Sequence, residues 1–146
     1  MTVGGTDSTD CLVERTRCLD RPDVQYVLVS GIAPAWFNII DIQQFAESVD
    51  RPVVSVSFEE SAGLESALRE AFEGGALSER LACYERQPPR RSVEVNDEQV
   101  FVRSVGLDAD ETDRVVRAFT PEGGHPEPLR VARIAARAGD RLRRTV

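Results

Sequence analysis

Lysine is absent from this 146-residue chain: all 18 basic residues are arginine, set against 25 acidic residues for a net charge of −7. Histidine, methionine and tryptophan each occur once. One histidine excludes by count a metal centre built on imidazole ligands. The three cysteines, Cys11, Cys18 and Cys83, are odd in number and contain no CxxC pair. Cys11 and Cys18 fall two turns apart on a predicted helix, about 10 Å along its axis, too far to bridge. Reduced, partly buried thiols are therefore expected. No apolar run approaches membrane-spanning length and no basic, apolar leader opens the chain, which points to a soluble, cytoplasmic protein. The glycine spacing and lysine of a phosphate-binding P-loop are missing too.

What is present is an ordinary apolar fraction of 41%, enough for one domain with one core. An acidic, arginine-only composition suits a cytoplasm at molar salt, with GC-rich coding as the other source of arginine over lysine. At molar salt the Debye length falls to about 3 Å. Net negative charge then does not exclude a nucleic-acid partner.

The pattern along the chain alternates strands and helices. Residues 1–6 read as a loop or the tail of a strand, and Asp7 or Ser8 caps a helix to about Leu19 with Cys11, Leu12, Val13, Cys18 and Leu19 as its stripe. Val24 to Val29 reads as a buried strand. After a turn from Ser30 to Ala35, Phe37 or Asn38 opens a helix to about Val49, with Ile39, Ile42, Phe45, Ala46 and Val49 at helical spacing. Val53 to Phe58 is a second strand, making a right-handed βαβ unit with parallel strands. Helical stretches follow at Leu64–Phe72 and Leu77–Tyr84, separated by Gly74-Gly75. A hairpin spans Ser92–Val95 and Gln99–Val105 around Asn96-Asp97-Glu98. Asp108–Ala118 is a helix, Thr120–Pro128 a loop, and Leu129–Leu142 a final helix with arginine on one face. There is no internal repeat, and no linker divides the chain.

Three constellations could carry chemistry. Asp7 and Asp10 place two carboxylates at a helix start, and carboxylates suit Mg²⁺, which takes one or two acids plus water and substrate phosphate. Asp7 and Ser8 serve equally as ordinary caps. Trp36-Phe37 could stack on a splayed base, with Asn38 and Asp41 one turn apart at the end of the first strand; a hydrophobic staple and a cap would produce the same pattern. Arg130 and Arg133, one turn apart after Pro126-Glu127-Pro128, could grip a phosphate by forked hydrogen bonds or form a solvated face paired with acids. His125 sits in the loop before them, and Glu59 and Glu60 close the second strand.

Three segments together resemble the archaeal endonuclease dU family, which is similar to endonuclease V. These are Thr6-Asp7-Ser8-Thr9, then Ser30-Gly31-Ile32-Ala33-Pro34-Ala35-Trp36-Phe37-Asn38-Ile39-Ile40-Asp41, then Pro128-Leu129-Arg130-Val131-Ala132. The resemblance implies an α/β fold, RNase H-like, with a mixed sheet and flanking helices. It implies a Mg²⁺-dependent (or Mn²⁺-dependent) nuclease of nucleic-acid repair, cleaving DNA or RNA strands that carry uracil or hypoxanthine. Asp7 and Asp10 would hold metal and act catalytically. Trp36, Asn38, Asp41 and Arg130 would engage substrate. The family pattern begins with strands that carry an early Asp, whereas this chain enters just before Gly4. The expectation is thus a single domain over 1–146, N-terminally truncated relative to the family and lacking those strands. Ser30 stands where the family often has Asp, and Arg133 where relatives often have His or Asp. The alternative expectation is a non-catalytic nucleic-acid-binding or regulatory member that has lost metal-site acids.

Overall fold

A computed structural model describes residues 1–145. The elements run α1 (Ser8–Leu19), β1 (Val27–Ser30), α2 (Pro34–Phe37), α3 (Ile42–Val49), β2 (Val53–Ser57), α4 (Glu65–Ala71), α5 (Gly74–Glu85), β3 (Arg91–Val95), β4 (Glu98–Val105), α6 (Ala109–Ala118) and α7 (Glu127–Thr145). The four strands form one mixed sheet in the order β1-β2-β4-β3. β1 and β2 are parallel, with Val27 opposite Val53 and Ser30 opposite Val56. β4 is antiparallel to both β2 and β3. The fold is mixed α/β, and the βαβ pairing expected from the sequence is present as a parallel pair.

β-Branched residues fill the sheet because they pack well on a pleated surface. One face of it carries a core made wholly of valine: Val54 and Val56 of β2, Val93 and Val95 of β3, Val100 and Val102 of β4, and Val116 of α6. Leu129 of α7 packs against this cluster. The opposite face carries Val29 and Val53 with Val13 of α1 and Ile42, Phe45 and Ala46 of α3. These three α3 residues all lie within the stripe read from the sequence. The stripe of α1 differs: Leu19 and Cys18 are exposed, and the buried side is Ser8, Thr9 and Val13. Two polar residues turn inward there because they bond to the β1–α3 connection, as described below. α6 begins with a full capping box, in which Asp108 accepts from the Glu111 N–H at 2.8 Å and Glu111 accepts from the Asp108 N–H at 3.0 Å.

The junction after β1 departs most from expectation. A helix beginning at Phe37 or Asn38 is not formed. Ala35, Trp36 and Phe37 have φ of +52°, +53° and +60°, three successive non-glycine residues in the left-handed region. Such a run costs roughly 1–2 kcal/mol per residue and must be held from outside. Residues 38–41 are then non-helical, the Ile40 N–H closes the loop on the Ile32 carbonyl at 2.7 Å, and α3 starts only at Ile42. Asp41 is its N-cap, accepting from the Gln44 N–H at 3.0 Å. α5 starts at Gly74 rather than Leu77, so Gly74-Gly75 opens the helix instead of separating two.

Candidate functional site

The strained turn is clasped by aromatic rings and by the N-terminal loop. Trp36 packs on Phe37 (5.7 Å between centroids) and on Phe72 (5.2 Å), and Phe37 meets Phe72 edge-on at 6.0 Å. The Arg80 guanidinium lies 4.0 Å above the Phe72 ring and donates to the Gly4 and Gly5 carbonyls. The Gly4 N–H in turn donates to the Ala35 carbonyl at 2.8 Å. Only glycine suits position 4, where φ is +69° and a Cβ would come within 2.8 Å of the Trp36 ring. Trp36 keeps 56% of its surface exposed, so one aromatic surface remains open at the end of β1.

Asn38 is wholly buried. Its Oδ1 accepts from the Ser8 N–H at 3.0 Å, which satisfies an orphan donor at the start of α1. Its Nδ2 donates to the Thr2 carbonyl at 2.7 Å and to Asp7 Oδ1 at 2.6 Å. Its own carbonyl accepts from the Ser8 hydroxyl at 2.9 Å. Thr9 repeats the device one residue on, accepting from the Asp41 N–H at 3.0 Å. Asp41, besides capping α3, pairs with Arg86 at 3.1 Å. Asn38 and Asp41 lie in the connection after β1, not one turn apart on a helix as expected, with their polar atoms engaged in holding α1, the junction and α5 together.

Asp7 Oδ1 accepts from the Thr2 N–H at 2.8 Å and from Asn38, and its Oδ2 accepts from the Thr2 hydroxyl at 2.9 Å. Asp7 occupies the N-cap position without a side-chain cap bond; Asn38 performs that task. The Thr2 backbone N–H first, and then the Asn38 amide, hold the Asp7 carboxyl well below the usual carboxylate range. Its folded value is therefore below its unfolded one. The resulting stabilisation is present above about pH 4 and is lost as the pH falls from there. Across the range from about pH 5 to pH 2, Asp7→Asn should flatten the loss of stability relative to the native chain; urea midpoints that fall equally steeply in both would count against this. Asp10 is exposed at the next turn of α1, beside a pocket it shares with Asp41, Glu79 and Arg86. Among the described residues, no group of three or more His, Cys, Asp and Glu side chains converges as metal ligands.

Arg130 and Arg133 are exposed on α7, which runs beside the edge strand β1. They line a groove of about 640 Å³ together with Ser30, Pro34, Phe58 and His125. Arg130 is bound to Glu127 through two N–H donors at 2.5 and 2.8 Å, an exposed pair of small energetic weight. His125 stacks on Phe58, 3.8 Å between centroids and 14° from parallel. The structure thus gathers Ser30, Arg130, Arg133 and His125 on one groove. Asp7 adjoins the same groove through Met1, which lines it and whose nitrogen lies 3.7 Å from Asp7 Oδ2, and Asn38 is bonded to Asp7.

The sequence reading missed Arg90 and Arg103. Both line a crevice of about 390 Å³ that opens beyond the carboxyl ends of β1 and β2, bounded by the Gly31–Pro34 segment. Crevices of this placement in α/β sheets are where ligands bind. The signal was the serine alternation in Val53-Val54-Ser55-Val56-Ser57, since a strand buried on both faces normally reads as continuously apolar.

Comparison with known proteins agrees with this architecture. The sequence profile of the family described as endonuclease dU matches residues 1–139. The chain belongs to the endonuclease dU family. A UPF0215 protein of Thermococcus kodakarensis is 32% identical over 140 residues, 94% of this chain and 70% of the relative. One from Pyrobaculum aerophilum is 30% identical over 146 residues, 99% of this chain and 77% of the relative. A crystal structure of a protein of unknown function from Archaeoglobus fulgidus superposes with a TM-score of 0.80 at 25% identity, covering 94% of this chain and 78% of that one. Family membership suggests a nuclease-like role and contact with nucleic acid. Among the described residues of this endonuclease dU member, no helix is long and apolar enough to cross a membrane.

Proposed function

We propose that the chain is an endonuclease-like protein of nucleic-acid repair that engages DNA or RNA strands carrying deaminated bases such as uracil or hypoxanthine. The family match over residues 1–139 is the observation that carries this reading. An RNase H-like architecture akin to endonuclease V belongs to the same proposal. The groove beside β1 supports it: Arg133 offers a forked donor to a phosphate, Arg130 can do the same by exchanging its surface bond to Glu127, and the exposed part of Trp36 offers a stacking surface for an unpaired base.

Hydrolysis in this family reading draws on Mg²⁺ or Mn²⁺, which would activate a water and offset charge on the scissile phosphate. Asp7 and Asp10 are the proposed carboxylates. The Asp7 oxygens are each taken by N–H or O–H donors, and Ser30, at the end of β1, brings no charge. That donor set does not fit a metal centre on its own, and no hydrolytic step is assigned to it. This observation favours a second version of the reading, in which these residues bind a strand without cleaving it.

One assay separates the two versions. Single strands containing uracil, inosine or neither are incubated with the protein, with Mg²⁺, with Mn²⁺ and with chelator, and products are resolved by length. Binding without products is the expected outcome. Metal-dependent scission at the modified base, abolished by Asp7→Ala and Asp10→Ala while the fold persists, would restore the hydrolytic version.

A further inference from the structure

The geometry points to the Arg90–Arg103 crevice as a binding site for a phosphate group, adjoining the groove on α7 at Ser30 and Pro34. The argument starts at β2. Its Val54 and Val56 are buried in the all-valine core, whereas the opposite face reads Val53, Ser55, Ser57. Ser55 is only 4% exposed, lines the crevice, and among the described residues its hydroxyl makes no hydrogen bond. That hydroxyl opens into the crevice, where it can donate to or accept from a ligand.

The register sets an arginine beside it. Arg103 of β4 stands directly opposite Ser55, and Phe101 opposite Ser57. The Arg103 guanidinium is placed over the Tyr84 ring at 5.5 Å and donates to the Pro88 carbonyl. Tyr84 is itself fixed, its hydroxyl accepting from the Leu64 N–H at 3.2 Å. The Arg90 guanidinium lies 4.1 Å over the Phe101 ring and donates to the Ser61 carbonyl at 3.0 Å, to the Ser57 hydroxyl at 3.4 Å and to the Glu59 carbonyl. Two planar donors are thus held by stacking on rings that project from the sheet and from α5.

Neither arginine is paired with a carboxylate among the described residues, although Arg21, Arg69, Arg86, Arg91, Arg117, Arg130 and Arg144 all are. Burial first, and the nearby Arg90 charge with it, pull the Arg103 pKa below its ordinary value, as expected where positive charge lacks a counter-ion. Glu59 is the acid on the crevice wall, and its side chain is exposed at the rim. The Arg103 guanidinium, which keeps N–H donors beyond its bond to Pro88, the Ser55 hydroxyl and the adjacent Arg90 charge in one crevice match the oxygens of a phosphate. The source is either a phosphate of a nucleic-acid strand or a free phosphate. Only the first of these rests on the function proposed above.

The test uses the full chain at low ionic strength, where charge-assisted binding is strongest. Inorganic phosphate is titrated while the arginine side-chain N–H and backbone amide resonances are followed by NMR. Saturable shifts at Arg90, Arg103 and Ser55 are expected. Arg103→Gln should weaken the fitted affinity at least tenfold, and Arg15→Ala, at an exposed position on α1, should leave it unchanged. Ser55→Val guards against a folding artefact: it replaces a crevice-facing hydroxyl that bonds to no other described residue in a valine-rich strand, so it should keep the melting temperature and still lose several-fold in phosphate affinity. A 5′-phosphorylated oligonucleotide, its unphosphorylated counterpart and phosphate alone form the three arms. Competition of phosphate with both strands assigns the site to backbone phosphates. Competition with the phosphorylated strand alone assigns it to a terminal phosphate, and competition with neither assigns it to a free phosphate. Absence of saturable shifts in the crevice, or equal affinity in the native and Arg103→Gln proteins, overturns the proposal. If phosphate binds but strands do not bind anywhere, this site stands and the strand-binding function falls. The reverse result removes this site alone.

Discussion

Asn38→Ala is expected to destabilise the fold by about 3 kcal/mol. The side chain makes three hydrogen bonds from a wholly buried position, to the Ser8 N–H, the Thr2 carbonyl and the Asp7 carboxylate. Removing it strands the buried Ser8 N–H, for about 1–3 kcal/mol, and deletes a charge-assisted bond worth about 1.5–3 kcal/mol, with partial recovery by water. The Ser8 hydroxyl would still reach the Asn38 main-chain carbonyl, so α1 should stay attached while its first turn loosens. Urea unfolding followed by circular dichroism checks the size, and faster amide exchange over Ser8–Cys11 checks the place. A loss below about 1 kcal/mol would mean that the junction is held by the aromatic cluster instead.

The double substitution Arg130→Ala/Arg133→Ala should weaken binding of a single-stranded oligonucleotide at least about tenfold at low salt. It should also flatten the plot of log affinity against log salt by about 1.4, or 0.7 for each lost single-strand phosphate contact. Stability should change by no more than about 0.5 kcal/mol, because both residues are exposed and the Arg130–Glu127 pair is a surface pair. Fluorescence anisotropy over a salt series reads affinity and slope together. An unchanged slope would move strand contact away from α7.

How much of this was legible in the sequence differs by element, for physical reasons. The regular elements showed themselves where local preference and burial agree: the α3 stripe, the alternating β3–β4 hairpin and the Asp108 start of α6 lie where periodicity and capping put them. The β1–α3 junction misled because Asn38 has the chemistry of a cap. It is one, but for α1, thirty residues earlier in the chain, and that partnership is tertiary. The true α3 cap, Asp41 with Gln44 three residues on, is a legible capping pattern that Asn38 obscured. The left-handed run at Ala35–Phe37 was not legible at all, because non-glycine residues enter that region only when surrounding contacts hold them there. The Arg90–Arg103 crevice was hidden for another reason: pairing Arg103 with Ser55 depends on the β2–β4 register, forty-eight positions apart in sequence. Family motifs point to the loop ends that they share; register decides which side chains meet beneath them.

The central claim is that this endonuclease dU member takes hold of a nucleic-acid strand at the carboxyl end of β1. The most direct measurement is the equilibrium affinity of the native chain for a short single strand containing one uracil, in chelator, across a salt series, beside the same strand with cytosine in its place. Saturable binding that falls linearly with log salt, and is tighter for the uracil strand, is the predicted result. No binding to either strand at the lowest salt, with the protein shown to be folded, would contradict the account.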